Sequence, residues 1–276
     1  MTKIESIPDA AYGILQQDRF SSEFEEVAEQ VRRLGYAILD SGYTSEQLQE
    51  ISEQFDHVRD QYLKTWGESR LKSLNEHHTI RALLTHGSDT FVQLAMNRNL
   101  MVVLQQLIAG TFILNQQNGI INPPGEIYNQ GAWHRDLPYQ HYVSSTPLAV
   151  NALFCVDDFN AENGSTYVLP ASHKSSAFPS ESYLNRNAVQ LRAKAGQYIL
   201  LDCMMFHSGG YNKTAKERRA VNHVFNIPYF KQQINLPGNL PASDLSSEAR
   251  TLLGYNVQEA TSIANFLASR PIKVDA

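Results

Sequence analysis

Nine histidines are spread over the 276 residues, and two stand where metal chemistry would need them. Trp133-His134-Arg135-Asp136 contains a His-x-Asp. In an extended segment, residues two apart project to the same face, so His134 and Asp136 can offer an imidazole and a carboxylate to one ion. Alone, a His-x-Asp is common and carries little weight. Seventy residues further on, the run QYILLDCMMF leads into His207-Ser208-Gly209-Gly210. A histidine at the end of an apolar strand, with glycines after it that let the chain turn, is well placed to point into a barrel mouth. The plainer alternative is a strand-end histidine capped by a backbone group. Two histidines and one carboxylate on one face make the facial triad that holds non-haem Fe(II) and leaves three coordination positions open. Eleven residues after His207 comes Arg218. An arginine fork grips a carboxylate in bidentate fashion, as an iron enzyme using 2-oxoglutarate requires for the distal carboxylate of that cosubstrate. Arg219 competes for the role. Alternation puts Arg218, Ala220, Asn222 and Val224 on one face and Arg219, Val221, His223 and Phe225 on the other. Both faces carry apolar residues, so alternation does not choose.

The elements around these residues fall into two textures. Residues 21–34 carry Phe24, Val27, Val31 and Leu34 at helical spacing, and Gly35 stops the helix before a short strand, YAILD. Thr44-Ser-Glu-Gln47 is a capping-box pattern opening a helix with Leu48, Ile51, Phe55 and Val58. A third helical stretch is predicted over about 89–109. From 111 to 230 the chain turns rich in β-formers. The candidate strands are TFILNQ, EIYNQ, LAVNALFCV, STYVLP, AVQLRAK, QYILLDCMMF and RRAVNHVFNIPYF. Asn118-Gly119, Pro123-Pro124-Gly125, Asn163-Gly164, Gly196 and Gly209-Gly210 read as breakers between them. Many short strands spaced by turns predict an antiparallel sandwich or barrel. A helical segment over about 243–269 closes the chain. No linker-like stretch divides it, so one domain over 1–276 is expected, mainly β with flanking helices: helical to about 110, β-core over about 111–230.

Composition narrows the class. Lys and Arg number 23 against 28 Asp and Glu, a net charge of −5, which lacks the electrostatic footprint of a general nucleic-acid binder. Two cysteines, Cys155 and Cys203, are too few for a disulfide scaffold or a cysteine-based zinc site and read as buried, inert thiols. No apolar run reaches the length of a membrane span, and MTKIESIPDA carries no apolar signal segment. A soluble, cytoplasmic enzyme acting on a small molecule, without nucleic-acid or membrane partners, is the expectation.

Four segments in order resemble the phytanoyl-CoA dioxygenase-like (PhyH) family of Fe(II)/2-oxoglutarate-dependent oxygenases. They are GYAILD with the capped helix YTSEQLQEI; NPPGE with AWHRDLPY; ENGSTYVLPASHK; and FHSGGYNKTAKERRAVNHVF. The resemblance spans roughly residues 27–230. It implies a double-stranded β-helix (jelly roll, cupin-like) core. It matches His134, Asp136 and His207 to the metal ligands and catalytic centre, and Arg218, not Arg219, to the cosubstrate arginine. Gln116 and Asn151 lie on strands that line the cosubstrate pocket in such enzymes. Tyr139 and His141, just after the His-x-Asp, are candidates for substrate contact, with a surface loop as the alternative. His173, in the ASHK segment, is expected to be structural, Trp133 to serve packing, and His57 to face solvent. The implied cofactors are Fe(II), 2-oxoglutarate and O₂, with succinate and CO₂ as coproducts. The carboxylate of Asp136 favours hydroxylation or another oxidation, because related halogenases replace it with a small residue.

Selectivity would reside in loops near 60–90, 138–147 and 175–190. The cations of ESRLKSLNEHHTIR (68–81) either face an anionic substrate or form a solvated face. Two other classes compete. A cupin-type metal-dependent hydrolase or isomerase would use the same three ligands with zinc or manganese and would need neither Arg218 nor 2-oxoglutarate. A catalytically silent binding module would have no reason to retain His134, Asp136, His207 and Arg218 together.

Overall fold

The structure is a computed structural model and describes residues 11–87, 89–137 and 142–270. Helix α1 (Glu23–Leu34) starts on Ser22, whose side chain accepts from Glu25 N at 3.3 Å, and ends at Gly35. Strand β1 (Tyr36–Asp40) follows. The capping box forms as predicted: Thr44 Oγ1 accepts from Gln47 N, and Gln47 Oε1 accepts from Thr44 N. It opens α2 (Ser45–Trp66), which buries Ile51, Phe55, Val58 and Tyr62. Short helix α3 (Glu68–Ser73) and strand β2 (Thr79–Ile80) come next.

The stretch predicted as one helix over 89–109 is two helices, α4 (Asp89–Ala95) and α5 (Arg98–Leu107). Asn97 breaks it. Its Oδ1 accepts from Leu100 N at 3.1 Å as a new N-cap, and its Nδ2 donates to Ser41 O at 2.9 Å. A side chain that competes with the backbone for hydrogen bonds favours a helix start over a helix interior.

The β-region gives strands β3 (Ile113–Asn122), β4 (Ala149–Cys155), β5 (Tyr167–Val168), β6 (Val189–Gln190), β7 (Gln197–Asp202), β8 (His207–Ser208) and β9 (Arg218–Asn226). Asn118-Gly119 does not break β3. Gly119 serves close packing there, since a Cβ on it would lie 3.0 Å from both Ile80 and Phe55. EIYNQ is not a strand: it ends in a 3₁₀ turn at Asn129–Gly131. Helix α6 (Glu181–Asn187) lies between β5 and β6. The predicted helix over 243–269 resolves into α7 (Ser247–Leu252) and α8 (Ile263–Ala268).

Six strands form one antiparallel sheet in the order β1-β7-β4-β9-β3-β2, and three form a second in the order β6-β5-β8. A bridge between His134 and His207 continues the smaller sheet. One face of the large sheet carries Ala152, Phe154, Tyr198, Leu200, Val221 and Phe225 into the core shared with α1, α2, α4 and α5. Its other face sends Cys155, Ile199, Leu201, Ala220 and Ile120 against Val168 and Leu191 of the small-sheet side. The strand pattern predicts an antiparallel sandwich or barrel, and this one is the jelly-roll core that the family resemblance implies. Cys155 and Cys203 are buried free thiols whose ionisation burial pushes well up. Among the described residues, no helix is long and apolar enough to cross a membrane.

Candidate metal centre and adjoining cleft

Two backbone hydrogen bonds zip His134 to His207: His134 N donates to His207 O at 2.9 Å, and His207 N to His134 O at 3.0 Å. Asp136 N donates to Cys203 O at 3.1 Å. The two segments therefore run side by side, and the period of two puts the His134 and Asp136 side chains together. Ligand atoms of His134, Asp136 and His207 all lie within 4.8 Å of one another. His134 Nε2 is 3.9 Å and His207 Nε2 3.7 Å from Asp136 Oδ1, within reach of one ion with bonds of about 2.0–2.2 Å.

The two rings are oriented alike. His134 Nδ1 lies 2.7 Å from Ala132 O, and His207 Nδ1 lies 3.1 Å from Met205 O. A carbonyl can only accept, so each Nδ1 carries the proton and each Nε2 turns a lone pair toward Asp136. That is the second-sphere arrangement that fixes metal-binding imidazoles. Burial holds His207 below the ordinary histidine pKa, against the pull of Asp136, so the ring is neutral at physiological pH. Asn151 supplies the other restraint: its Nδ2 donates to Asp136 Oδ2 at 2.6 Å.

Strand pairing resolves what alternation left open. Arg218 sits opposite Asn122 on the inner face and is 2 % exposed. Its Nη1 donates to Gly164 O at 3.0 Å, its Nη2 lies 3.5 Å from Tyr128 Oη, and its guanidinium covers the Phe159 ring at 3.9 Å. No carboxylate among the described residues comes within ion-pair distance of it, and burial lowers its pKa. Arg219 points the other way, onto Asp157, Asp56 and Ser52 beside α2. An uncompensated buried cation is costly, and an anion in the cleft would relieve that cost.

One narrow cleft is lined by His134, His207 and Asn151 and also by Arg218 and Tyr128. Ile120, Leu153 and Leu201 give it apolar walls. Three polar atoms of lining residues have no hydrogen-bond partner among the described residues: Asn151 Oδ1, Asn222 Oδ1 and Arg218 Nε. Donors and acceptors left open beside a histidine–carboxylate cluster fit a small polar anion. Gln116 shares the inner face with Asn151 through their common partner Val224, but does not line the cleft. Tyr139 and His141 lie outside the described residues.

The remaining histidines take other roles. His173 is buried with Nε2 3.1 Å from Arg32 O, tying the end of α1 to the ASHK turn. His57 is exposed on α2. Trp133 stacks obliquely near Phe178, with ring centroids 6.4 Å apart. The cations of 68–81 are already engaged. Lys72 pairs with Glu68, Arg81 with Glu76, and Arg70 lies over Trp66. The groove beside them, lined by Tyr62, Trp66, Arg70 and Arg81, shares no residue with the cleft.

Sequence reasoning missed Tyr128, Gln130, Thr166 and Asn222, which also line the cleft. Asn222 was recoverable, since it shares Arg218's alternation face. Tyr128 was hidden because EIYNQ reads as a strand.

Fold and cluster define a jelly-roll protein with a candidate metal centre of two histidines and a carboxylate. The chain matches the phytanoyl-CoA dioxygenase (PhyH) family model over residues 31–220 and belongs to that family. It is 30 % identical over 254 residues to the uncharacterised protein Rv1501 of Mycobacterium tuberculosis, covering 89 % of this chain and 92 % of that one. It is 32 % identical over 110 residues to dioxygenase hkm4 of Aspergillus hancockii, covering 38 % and 35 %. Among solved structures it resembles EctD from S. alaskensis, crystallised with 2-oxoglutarate and 5-hydroxyectoine. The TM-score there is 0.62, with 21 % identity and coverage of 75 % and 76 %. It also resembles the epimerase SnoN in complex with Fe3+, alpha ketoglutarate and nogalamycin RO. That match has a TM-score of 0.57, 18 % identity and coverage of 81 % and 92 %.

Proposed function

We propose that this protein is a non-haem Fe(II)- and 2-oxoglutarate-dependent dioxygenase that hydroxylates a small-molecule metabolite, releasing succinate and CO₂. His134, Asp136 and His207 hold the iron. Arg218, with Tyr128 beside it, takes the distal carboxylate of 2-oxoglutarate. The bound iron and cosubstrate supply the oxidative chemistry; the protein supplies position and exclusion of water.

The carrying observation is that one cleft is lined both by the two histidines of the His₂-carboxylate cluster and by a buried arginine that has no counter-ion among the described residues. A cupin-type hydrolase or isomerase would use the three ligands but has no need of the arginine. The residues divide the work by chemistry. The backbone carbonyls of Ala132 and Met205 keep the Nδ1 protons in place, so each ring binds through Nε2. Asn151 holds one oxygen of Asp136, directing the other toward the two rings. The apolar walls keep the local dielectric low, which strengthens the hold of Arg218 on a carboxylate. The relatives bearing dioxygenase names support the same reading, as do the neighbours crystallised with 2-oxoglutarate and with iron.

The test is anaerobic titration of the metal-stripped protein with Fe(II) and then 2-oxoglutarate. A weak visible charge-transfer band is expected only when both are present, and O₂ should then yield succinate. Asp136→Ala and His134→Ala are expected to abolish band and succinate alike. Wild-type succinate production by either variant would refute the triad.

A further inference from the structure

A second set of metal-ligating side chains converges outside the cleft. Ligand atoms of His77, His78 and Glu126 all lie within 4.8 Å of one another. The two histidines sit in the turn between α3 and β2, just after Asn75, whose φ of 56° is left-handed. That turn brings successive rings to a centroid distance of 3.8 Å, whereas successive residues of a strand point to opposite faces. Glu126 comes from the loop after β3, and its Oε2 is 3.5 Å from His78 Nε2. Backbone contacts hold the two segments in register: Ile121 N donates to His78 O at 2.9 Å, and Thr79 pairs with Ile120.

Two further observations suit an ion there. The Nδ1 atoms of both histidines are buried without a hydrogen-bond partner among the described residues. The nearby carboxylates Glu68 and Glu217 are engaged by Lys72 and Arg59, while Glu126 pairs with no lysine or arginine among the described residues.

We infer that His77, His78 and Glu126 form a second divalent-metal site, separate from the His134–Asp136–His207 cluster and suited to Zn(II). Two imidazoles and a carboxylate are the donor set of a borderline-soft ion. The His78 side chain is 15 % exposed and that of Glu126 63 %, so the site opens to solvent on one side and water completes the shell. Glu126 stands two residues before Tyr128. An ion here would clamp the loop that carries Tyr128 to the α3–β2 turn.

The test uses tag-free, metal-stripped full chain titrated with Zn(II) against a chromogenic chelator. Wild type is expected to take up two equivalents. His134→Ala/Asp136→Ala keeps one, and X-ray absorption of that zinc reports imidazole ligands. Adding Glu126→Gln, a change at an exposed side chain, weakens the remaining equivalent at least tenfold. Adding His77→Ala/His78→Ala removes it, with circular dichroism checking that the fold survives. The inference is overturned if the His134→Ala/Asp136→Ala protein binds no Zn(II), or if Glu126→Gln leaves its affinity unchanged. Uptake of one equivalent by wild type, lost in Glu126→Gln and kept in His134→Ala/Asp136→Ala, would instead sink the oxygenase triad and leave this site standing.

Discussion

Arg218 is buried, stacked on Phe159 and, among the described residues, bonded only to neutral oxygens, so its charge is left for a ligand. Hydrogen bonds to charged groups contribute roughly 1.5–3 kcal/mol. Arg218→Ala is therefore expected to weaken 2-oxoglutarate binding by roughly 10- to 150-fold while leaving Fe(II) binding near wild type. Paired calorimetric titrations with metal and with cosubstrate check this, and equal losses in both would contradict it. Asn151 acts on the metal side through Asp136. Loss of a second-sphere partner costs typically 10–100-fold in metal affinity, so Asn151→Ala should lose iron to a chelator that wild type resists. Asn151→Asp would place a second carboxylate against Asp136 and should not restore it.

At the scale of elements, the Asn163-Gly164 turn, on the connection from β4 to β5, holds the arginine against the large sheet. The Gly164 carbonyl accepts from both Arg218 Nη1 and Asn122 Nδ2. Its φ is +72°, and a Cβ there would stand 2.4 Å from Gly210 O and 2.6 Å from Asn122 Nδ2. Backbone atoms cannot swing aside as a side-chain end can. Gly164→Ala is expected to destabilise the fold by more than about 1 kcal/mol and to weaken 2-oxoglutarate along with it. Chemical denaturation alongside a binding titration would read both effects. A neutral result would mean that the turn relaxes without moving Arg218. The helix break at Asn97 and the continuation of β3 through Gly119 follow the same logic: each is set by a neighbour distant in sequence, Ser41 in one case and Phe55 with Ile80 in the other.

For the whole molecule, the buried histidines tie stability to pH. His223 lies between the large sheet and the helices. Its Nδ1 is 3.0 Å from Ala152 O, and its Nε2 is 3.0 Å from Gln117 Nε2. Burial pulls its pKa from 6.5 to about 4. The unfolded chain binds a proton near pH 6.5 that the folded chain refuses until about pH 4, so stability falls as pH drops through that window. At roughly 1.36 kcal/mol per pH unit, His223 alone contributes a loss of roughly 3 kcal/mol by its lower end. Melting temperatures between pH 7 and 4 should decline less steeply for His223→Gln than for wild type. Parallel curves would show that His223 is not the titrating group.

Much of the fold and site was legible in the residues because it depends on local spacing. The capping box at Thr44, the helix stop at Gly35, the β-forming runs that become β4, β7 and β9, and the His-x-Asp all act within a few positions. What the linear order could not supply was adjacency across the chain. Alternation alone did not choose between Arg218 and Arg219; the family resemblance picked Arg218, and the pairing of β9 with β3 puts it on the inner face. Asn151 was placed on the right strand, but its bond to Asp136 needed the β4 and Asp136 segments to meet. Tyr128 was masked by its strand-like surroundings. The sequence by itself determined which chemical groups are present and which face of each element they occupy, since dihedral preference and periodicity are local. Only the tertiary structure decided which of those groups meet, because proximity between residues tens of positions apart is fixed by sheet register and packing.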